Sequence, residues 1–276
     1  MTSSDQEVFS YLHREYSGIL DDEQIANHYQ RYVQFEQADE LINRFVLEVS
    51  PRANVLDIGC GYGSFVHRLL DYGFNATGID TSRFEIEFAQ NRLATTSSHD
   101  PSCFRIGDAR LIDLPDNSID IVTAWNVLEH VPNRRELLRE IHRILKTDGA
   151  FLFICPNYAS IRKEAHYQVI WLPGLGKKLG TVYLKLRGRN PKFLQTSIFP
   201  ITKWSLMRDL KRIGFKVNVP RYKFAKVLDP KQIADLRLRR IIQFGNSLGL
   251  TFLLKILIKL NAFNPISGSI ELRSEK

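Results

Sequence analysis

The chain has 276 residues, 44% of them apolar, and a net charge of +8. This composition is typical of a globular protein with a real core and excludes disordered and fibrous classes. Its three cysteines include no C-x-x-C pair, which argues against a zinc site or disulfide framework and favours a reducing, cytoplasmic compartment. The polar, acidic N-terminus predicts no signal peptide, and no apolar run reaches the roughly 18 residues of a membrane-spanning helix.

The charge is distributed unevenly along the chain. Residues 1–155 carry 14 Lys and Arg against 24 Asp and Glu, a net of −10, whereas residues 156–276 carry 24 against 6, a net of +18. This asymmetry predicts an anionic partner for the second half, with a merely soluble basic surface as the alternative.

Strands and helices are predicted to alternate after an N-terminal helical region. Apolar and aromatic side chains at helical spacing predict helix over residues 23–49, and Pro51 ends that region. We therefore expect a helical cap at 1–52 and one domain at 53–276. Strands are predicted near 53–58, 75–80, 103–107, 119–125 and 149–155, and helices near 63–73, 82–95, 133–146 and 202–213. This alternation predicts a parallel sheet covered on both faces.

The stretch from Val55 to Phe65, VLDIGCGYGSF, predicts a buried strand, a glycine-rich turn and the start of a helix. Glycines allow a tight turn and a close approach to a ligand. Asp80 follows Gly63 by 17 positions, at the end of the second predicted strand, where an acid can accept hydrogen bonds from ribose hydroxyls. Asp57 adds negative charge, which disfavours a diphosphate and suits a ligand with an amino group and a sulfonium. A glycine cluster in another kind of α/β protein is the alternative.

These residues resemble motif I of the class I S-adenosylmethionine-dependent methyltransferases. The resemblance is strongest to members acting on small molecules and lipids, and it covers roughly residues 50–155. It implies an α/β fold with a doubly wound, seven-stranded, mostly parallel sheet (a Rossmann-like methyltransferase fold) and helical insertions. It also implies S-adenosyl-L-methionine as the cofactor, with no metal. The family's cofactor contacts carry over by position to Asp57, Gly59, Gly61, Gly63, Asp80, Asp108, Ala109 and Asn126. A turn-capping acid is the alternative for Asp108.

His130 is the candidate catalytic residue, because it lies just after the fourth predicted strand. As a general base it would deprotonate a hydroxyl acceptor; as a packing residue it would orient the loop, and both interpretations stay open. Glu129 is near the transfer site by position. Enzymes that methylate exocyclic amines carry an Asn-Pro-Pro-Tyr motif, whereas this chain has Asn126-Val127-Leu128 at that place. Methylation of exocyclic amines is therefore a less favoured prediction. Cys155 ends a buried apolar run, where a thiol is usually inert.

The family ends in a hairpin whose last strand is antiparallel, so residues 268–274 are predicted as that strand, after one near 215–219. With these strands assigned, two segments have no counterpart in the family's sheet and are predicted to be insertions, at about 156–200 and 221–265. Each has a net charge of +7. Four residues of the first are candidates for substrate binding through phosphate: Lys177, Lys178, Arg187 and Arg189. In the second, residues 247–260 predict a nearly apolar helix that either lies in a bilayer interface or packs on the domain.

The expected function is methyl transfer to an anionic small-molecule or lipid-linked acceptor, such as a lipid-linked or phosphorylated saccharide. The expected location is the cytoplasm, with peripheral contact to an anionic membrane. A nucleic-acid (RNA) methyltransferase is an alternative, although the chain shows no recognised RNA-binding module. A non-catalytic cofactor-binding protein is another, and the intact motif residues argue against it.

Overall fold

The computed structural model describes residues 3–220 except 47, 51 and 165, and beyond them residues 223, 240, 243–244, 247–253, 255–256 and 269–276. The predicted insertion at 221–265 therefore lies mostly outside the described residues, and so does part of the predicted helix 247–260. Among the described residues, no helix combines the length and apolar character that crossing a bilayer would require.

Seven strands form one twisted sheet at the centre of the fold. The described residues form nine strands in all, namely β1 (Asn54–Ile58), β2 (Asn75–Asp80), β3 (Phe104–Ile106), β4 (Ile119–Trp125), β5 (Leu145–Pro156), β6 (Arg162–Glu164), β7 (Val169–Trp171), β8 (Lys216–Asn218) and β9 (Ser269–Glu275). The main sheet has the order β3–β2–β1–β4–β5–β9–β8, and β6 and β7 pair separately. Strand β9 runs antiparallel to β5 and β8, whereas β1 to β5 pair in parallel. The predicted fold class is confirmed.

Helices cover both faces of this sheet. The α-helices that lie wholly within the described residues are α1 (Ser3–Glu15), α2 (Asp22–His28), α3 (Glu36–Phe45), α4 (Ser64–Asp71), α5 (Arg83–Thr96), α6 (Arg134–Ile144), α7 (Lys177–Leu186), α8 (Lys192–Thr196) and α9 (Lys203–Ile213). Helices α6 and α9 bury their apolar side chains on one face, and α3, α4 and α5 bury theirs on the other. The carboxyl ends of the parallel strands therefore stay open at one edge, where ligands bind in such sheets.

The N-terminal region is a broken helix rather than the continuous one that its periodicity predicts. Helix α2 passes into a π-helical turn at Tyr29–Val33, and α3 begins at Glu36. The break has a physical reason, because carbonyl groups near it accept hydrogen bonds from side chains of other helices. The Ser64 hydroxyl donates to the carbonyls of Tyr32 and Val33 at 3.0 and 3.1 Å. Arg92 donates to the Val33 carbonyl at 2.6 Å.

The first insertion has more structure than the sequence indicated. Strands β6 and β7 form an antiparallel hairpin directly after β5, and α7 and α8 follow it. Its own apolar cluster forms around Trp171, Leu184 and Leu194. The insertion is therefore a small packed unit attached at the open edge of the sheet.

Arg92 should be required for stability, because its guanidinium donates hydrogen bonds to the carbonyl groups of Val33 and Tyr62 and to the Ser64 hydroxyl. Replacing it by Met should lower the free energy of unfolding by about 2–4 kcal/mol, measured by urea denaturation. Arg83→Met, on the same helix, is the matched control: its side chain is 75% exposed and pairs with Glu87, so about 0.5 kcal/mol or less is expected. Equal losses in the two variants would refute this role.

Candidate functional site

The glycine-rich turn after β1 follows a path that excludes side chains at two positions. Gly59, Gly61 and Gly63 all have left-handed backbones, with φ of 67°, 51° and 71°. A Cβ on Gly59 would lie 2.4 Å from Val127 Cγ2, and one on Gly63 would lie 2.6 Å from the Phe104 ring. Glycine is therefore needed here both for the backbone and for the close packing.

Asp80 ties this turn to the end of β2. Its Oδ2 accepts a hydrogen bond from the Gly61 N–H at 3.0 Å, and its Oδ1 accepts one from the Ser82 N–H at 2.9 Å. Its position at the end of β2 predicts that Asp80 holds a ribose. The structure places it directly beside the turn, but it does not line the cavity described next.

A cavity of about 700 Å³ opens at the carboxyl ends of β1, β4 and β5. Its size is within the range of ligand sites, roughly 300–1,000 Å³. The glycine-rich turn, the cap between residues 16 and 41, and the β6–β7 hairpin each contribute to its walls. Five of the residues predicted for the site line it, namely Asp57, Gly59, Gly61, Asn126 and His130.

Four side chains that line the cavity carry a buried polar atom with no hydrogen-bond partner among the described residues. The atoms are the Tyr62 hydroxyl, the Trp125 indole Nε1, Glu129 Oε2 and Arg162 Nη1. Buried polar atoms are costly when unpaired, so this set fits a polar ligand that donates and accepts hydrogen bonds.

Three carboxyl groups in the cavity have raised pKa values. Burial, with Asp80 as a further cause, raises the pKa of Asp57 to about 7 and that of Glu85 to about 8. The Thr123 hydroxyl, which donates to Asp57 at 2.6 Å, only partly offsets this. Burial also raises the pKa of Glu129 to about 7, although nearby His166 and Arg162 lower it in part. Asp57 and Glu85 both have Asp80 as a neighbouring acid, and a cation beside this group, which we call the Asp57 end of the cavity, would favour their charged forms. Glu129 has the Arg162 guanidinium among its neighbours, and we call this group the Glu129 end.

His130 lies at the Glu129 end, on the short 3-10 turn after β4. Its Nδ1 is 2.8 Å from the Ser197 carbonyl oxygen, and because a carbonyl only accepts, Nδ1 carries the proton and Nε2 the lone pair. Burial, together with His166, lowers the pKa of His130 to about 4. The imidazole is therefore neutral at pH 7 but weakly basic. Glu129, whose Oε1 is 4.0 Å from His130 Nε2, has the pKa better matched to accepting a proton.

The β6–β7 hairpin brings Arg162, His166 and Gln168 into the cavity wall, and the sequence analysis missed all three. Fully buried Glu164 holds the turn, accepting hydrogen bonds from the backbone N–H groups of His166 and Tyr167 at 2.8 and 2.9 Å. Arg162 Nη2 is 3.9 Å from Glu164 Oε1. An acid flanked by basic and histidine residues, directly after the fifth strand, was the signal available in the sequence.

Several predicted site residues lie outside the cavity wall. Asp108 forms an ion pair with Arg110 at 2.6 Å, and this partner lowers the pKa of Asp108. Gly63, Ala109, Lys177, Lys178, Arg187 and Arg189 do not line the cavity either. Their proposed contacts stay predictions. Among the described residues, no group of three metal-ligating side chains is placed to hold an ion.

A sequence profile described as a methyltransferase domain matches residues 29–218. The chain is 30% identical over 128 residues, 45% of its length, to sterol 4-C-methyltransferase from Caenorhabditis elegans, of which the match covers 38%. The chain spans less than half the length of such curated relatives.

Two solved structures share the fold. One is a methyltransferase described as dependent on S-adenosylmethionine, from Archaeoglobus fulgidus (TM-score 0.52, 18% identity, 91% of this chain and 99% of that one). The other is phosphoethanolamine N-methyltransferase 2 from Haemonchus contortus in complex with S-adenosyl-L-methionine (TM-score 0.52, 19% identity, 87% and 52%).

The raised pKa values predict that a cationic ligand binds more tightly as the pH rises. Between pH 6 and 8, Asp57 passes from mostly neutral to mostly charged and Glu85 from almost wholly neutral to about half charged. Only the charged forms attract a cation. Titration calorimetry with S-adenosylmethionine should show affinity increasing over this range, with protons released on binding.

Asp57→Asn should weaken binding and flatten its pH dependence, whereas exposed Asp113→Asn should change neither. S-adenosylhomocysteine, which lacks the sulfonium charge, should show the smaller pH dependence of the two ligands. Affinity that stays constant from pH 6 to 8 would contradict the electrostatic role of these carboxyl groups.

Proposed function

This chain belongs to the methyltransferase-domain family, and we propose that it transfers a methyl group from S-adenosylmethionine to a hydroxyl of an anionic acceptor. The observation that carries this proposal is the buried Asp57 under a glycine-rich turn, at one end of a cavity whose other end holds Glu129 and Arg162. Each end has the charge that one of the two ligands needs.

The Asp57 end fits the cofactor. When bound, S-adenosylmethionine supplies an electrophilic methyl group on a positively charged sulfur. Gly59 and Gly61 would let it approach the backbone, and Asp57 and Glu85 would offset its positive charge. The unpaired indole N–H of Trp125 lies in the same wall as a further hydrogen-bond donor.

The opposite end would position the acceptor and take its proton. Glu129, with a pKa of about 7, accepts the proton from the attacking hydroxyl as the new bond forms. Neutral His130 has its Nε2 lone pair free to accept a hydrogen bond from a second, neighbouring hydroxyl of the acceptor and so orient it. Holding the acceptor in line with the methyl group carries much of the rate in such a displacement.

We propose a lipid-linked or phosphorylated saccharide as the acceptor. Arg162 supports an anionic group, because its Nη1 is buried in the cavity wall without a partner among the described residues, and a guanidinium binds phosphate well. The carboxamides of Gln24, Asn27 and Gln37 line the cap side. Carboxamides both donate and accept hydrogen bonds, so they suit sugar hydroxyls.

We place this reaction in the cytoplasm, at the surface of an anionic membrane. The three cysteines are free thiols, two of them buried, which suits a reducing compartment. The test is an acceptor screen with methyl-labelled cofactor, comparing a lipid-linked saccharide fraction, sugar phosphates and total RNA. Label in RNA alone would favour the RNA alternative, and cofactor binding without any label in the screen would favour a non-catalytic protein.

Glu129→Gln should lower kcat by roughly 10²–10⁴-fold while leaving the dissociation constant of the cofactor nearly unchanged, because it removes the proton acceptor. His130→Ala should lose less, since an imidazole with a pKa of about 4 is a poor base at pH 7. Exposed Glu136→Gln, on α6, is the matched control. If His130→Ala is the more damaging variant, the roles are reversed.

Arg162→Met should lower kcat/KM for the acceptor by about 10–100-fold, mostly through KM, because a charged hydrogen bond is worth about 1.5–3 kcal/mol. The cofactor should bind as before. Lys163→Met, the exposed neighbour on β6, should be close to the parent. An anionic acceptor that parent and Arg162→Met turn over with equal kcat/KM would show that Arg162 does not bind its anionic group.

A further inference from the structure

Helix α7 presents apolar side chains on the side that points away from the protein. Gly180 and Leu184 form its buried face, and a Cβ on Gly180 would lie 2.6 Å from the Trp171 ring. Leu179, Val182 and Leu186 are 63%, 55% and 81% exposed. At 100° per residue, these three side chains lie on the side of the helix opposite the buried face.

This arrangement is the reverse of an ordinary surface helix, which places polar residues opposite its buried stripe. Single exposed apolar residues are common, but a row of three at positions 179, 182 and 186 is a continuous stripe. Leu172, just before the helix, is 45% exposed and adds to this apolar surface.

Basic residues flank the stripe, and acids are missing from the surrounding sequence. Lys178 and Lys185 are exposed beside it, and Arg187 and Arg189 follow the helix end. From residue 165 to residue 208 the sequence contains eight Lys and Arg and no Asp or Glu. An apolar stripe bordered by basic side chains is typical of a helix that lies in the plane of an anionic bilayer surface.

The same helix packs on the hairpin that forms part of the cavity wall. Trp171, at the end of β7, lies against α7, and the Tyr183 hydroxyl donates to the Ile170 carbonyl at 2.6 Å. The paired strand β6 begins at Arg162. The β6–β7 hairpin therefore connects α7, and any surface that α7 binds, to Arg162, the residue proposed to bind the acceptor's anionic group.

We propose that α7 docks the protein on an anionic lipid bilayer, with Leu179, Val182 and Leu186 inserted at the level of the head groups. Lys178, Lys185, Arg187 and Arg189 then contact lipid phosphates. Lys177 contributes less, because its ammonium donates to the Gln195 carbonyl and lies 3.9 Å from the Phe199 ring centre. The docking proposal does not depend on the proposed function. Only the inference that docking brings the protein to a lipid-linked acceptor rests on that function.

Co-sedimentation with vesicles tests the docking. The parent should bind phosphatidylcholine vesicles that contain phosphatidylglycerol and not pure phosphatidylcholine, and binding should weaken as salt rises. Leu179→Ser, Val182→Ser and Leu186→Ser together should lower the binding constant at least ~10-fold. Lys178→Gln, Lys185→Gln and Arg187→Gln should each lower it about fivefold. Tyr72→Ser, 57% exposed after α4, is the apolar control and should bind like the parent.

A fluorescent probe separates insertion from electrostatic adsorption. Tryptophan at position 186, made by Leu186→Trp, should shift its emission to shorter wavelength on anionic vesicles and be quenched by acyl-chain-brominated lipid. Tyr72→Trp should show neither change. If the Leu186→Trp protein binds without quenching, or if the triple serine variant binds like the parent, α7 does not insert and the proposal fails.

Two further measurements keep the result separate from the proposed function. Circular dichroism and cofactor calorimetry should show that each variant folds and binds S-adenosylmethionine like the parent. Capture of RNA in place of anionic vesicles would overturn the membrane assignment. Vesicle binding without methyl transfer would leave the docking intact and count against the proposed acceptor alone.

Discussion

The close approach of the glycine-rich turn to its neighbours is the constraint on which the rest of the site depends. No side chain fits at Gly59 or Gly63, because Val127 and Phe104 occupy that space. The Gly61 N–H is fixed on Asp80. A larger residue at position 59 would displace Val127, and with it the segment that carries Asn126 and Glu129. The floor of the cavity and the Glu129 end, which is proposed to accept a proton, are thus set by one backbone path.

Much of the fold was predictable from the sequence, because it rests on local patterns. The apolar residues around Asp57 and before Asp80 predicted β1 and β2. The spacing of the glycines predicted the turn between β1 and α4. The helical break near Val33 was not predictable, since it depends on Ser64 and Arg92, which are distant in sequence. Periodicity reports which face a residue occupies and carries no information about a partner far along the chain.

The candidate site divides in the same way. Its cofactor end follows a short motif, so Asp57, Gly59 and Gly61 could be named in advance. The end proposed for the acceptor is lined by residues of the cap, the exit of β4 and the hairpin. Arg162 lines it from this hairpin, whose turn Glu164 holds. The preference for Glu129 over His130 as proton acceptor needed burial, which raises the pKa of one group and lowers that of the other.

Helices α1 and α2 of the cap are joined to the domain by much less apolar packing than α3 and the sheet have. Val8, Leu12 and Ile25 belong to one small cluster that includes Tyr62 of the glycine-rich turn. Tyr11 and Phe84 pack against this cluster, and their rings stack with centroids 4.1 Å apart. Elements with few buried contacts open by local unfolding far more often than a core does. Amide hydrogens of α1 and α2 should therefore exchange with solvent much faster than those of β1 and β4. The rate at which these two helices open would then limit how fast ligands enter and leave the cavity.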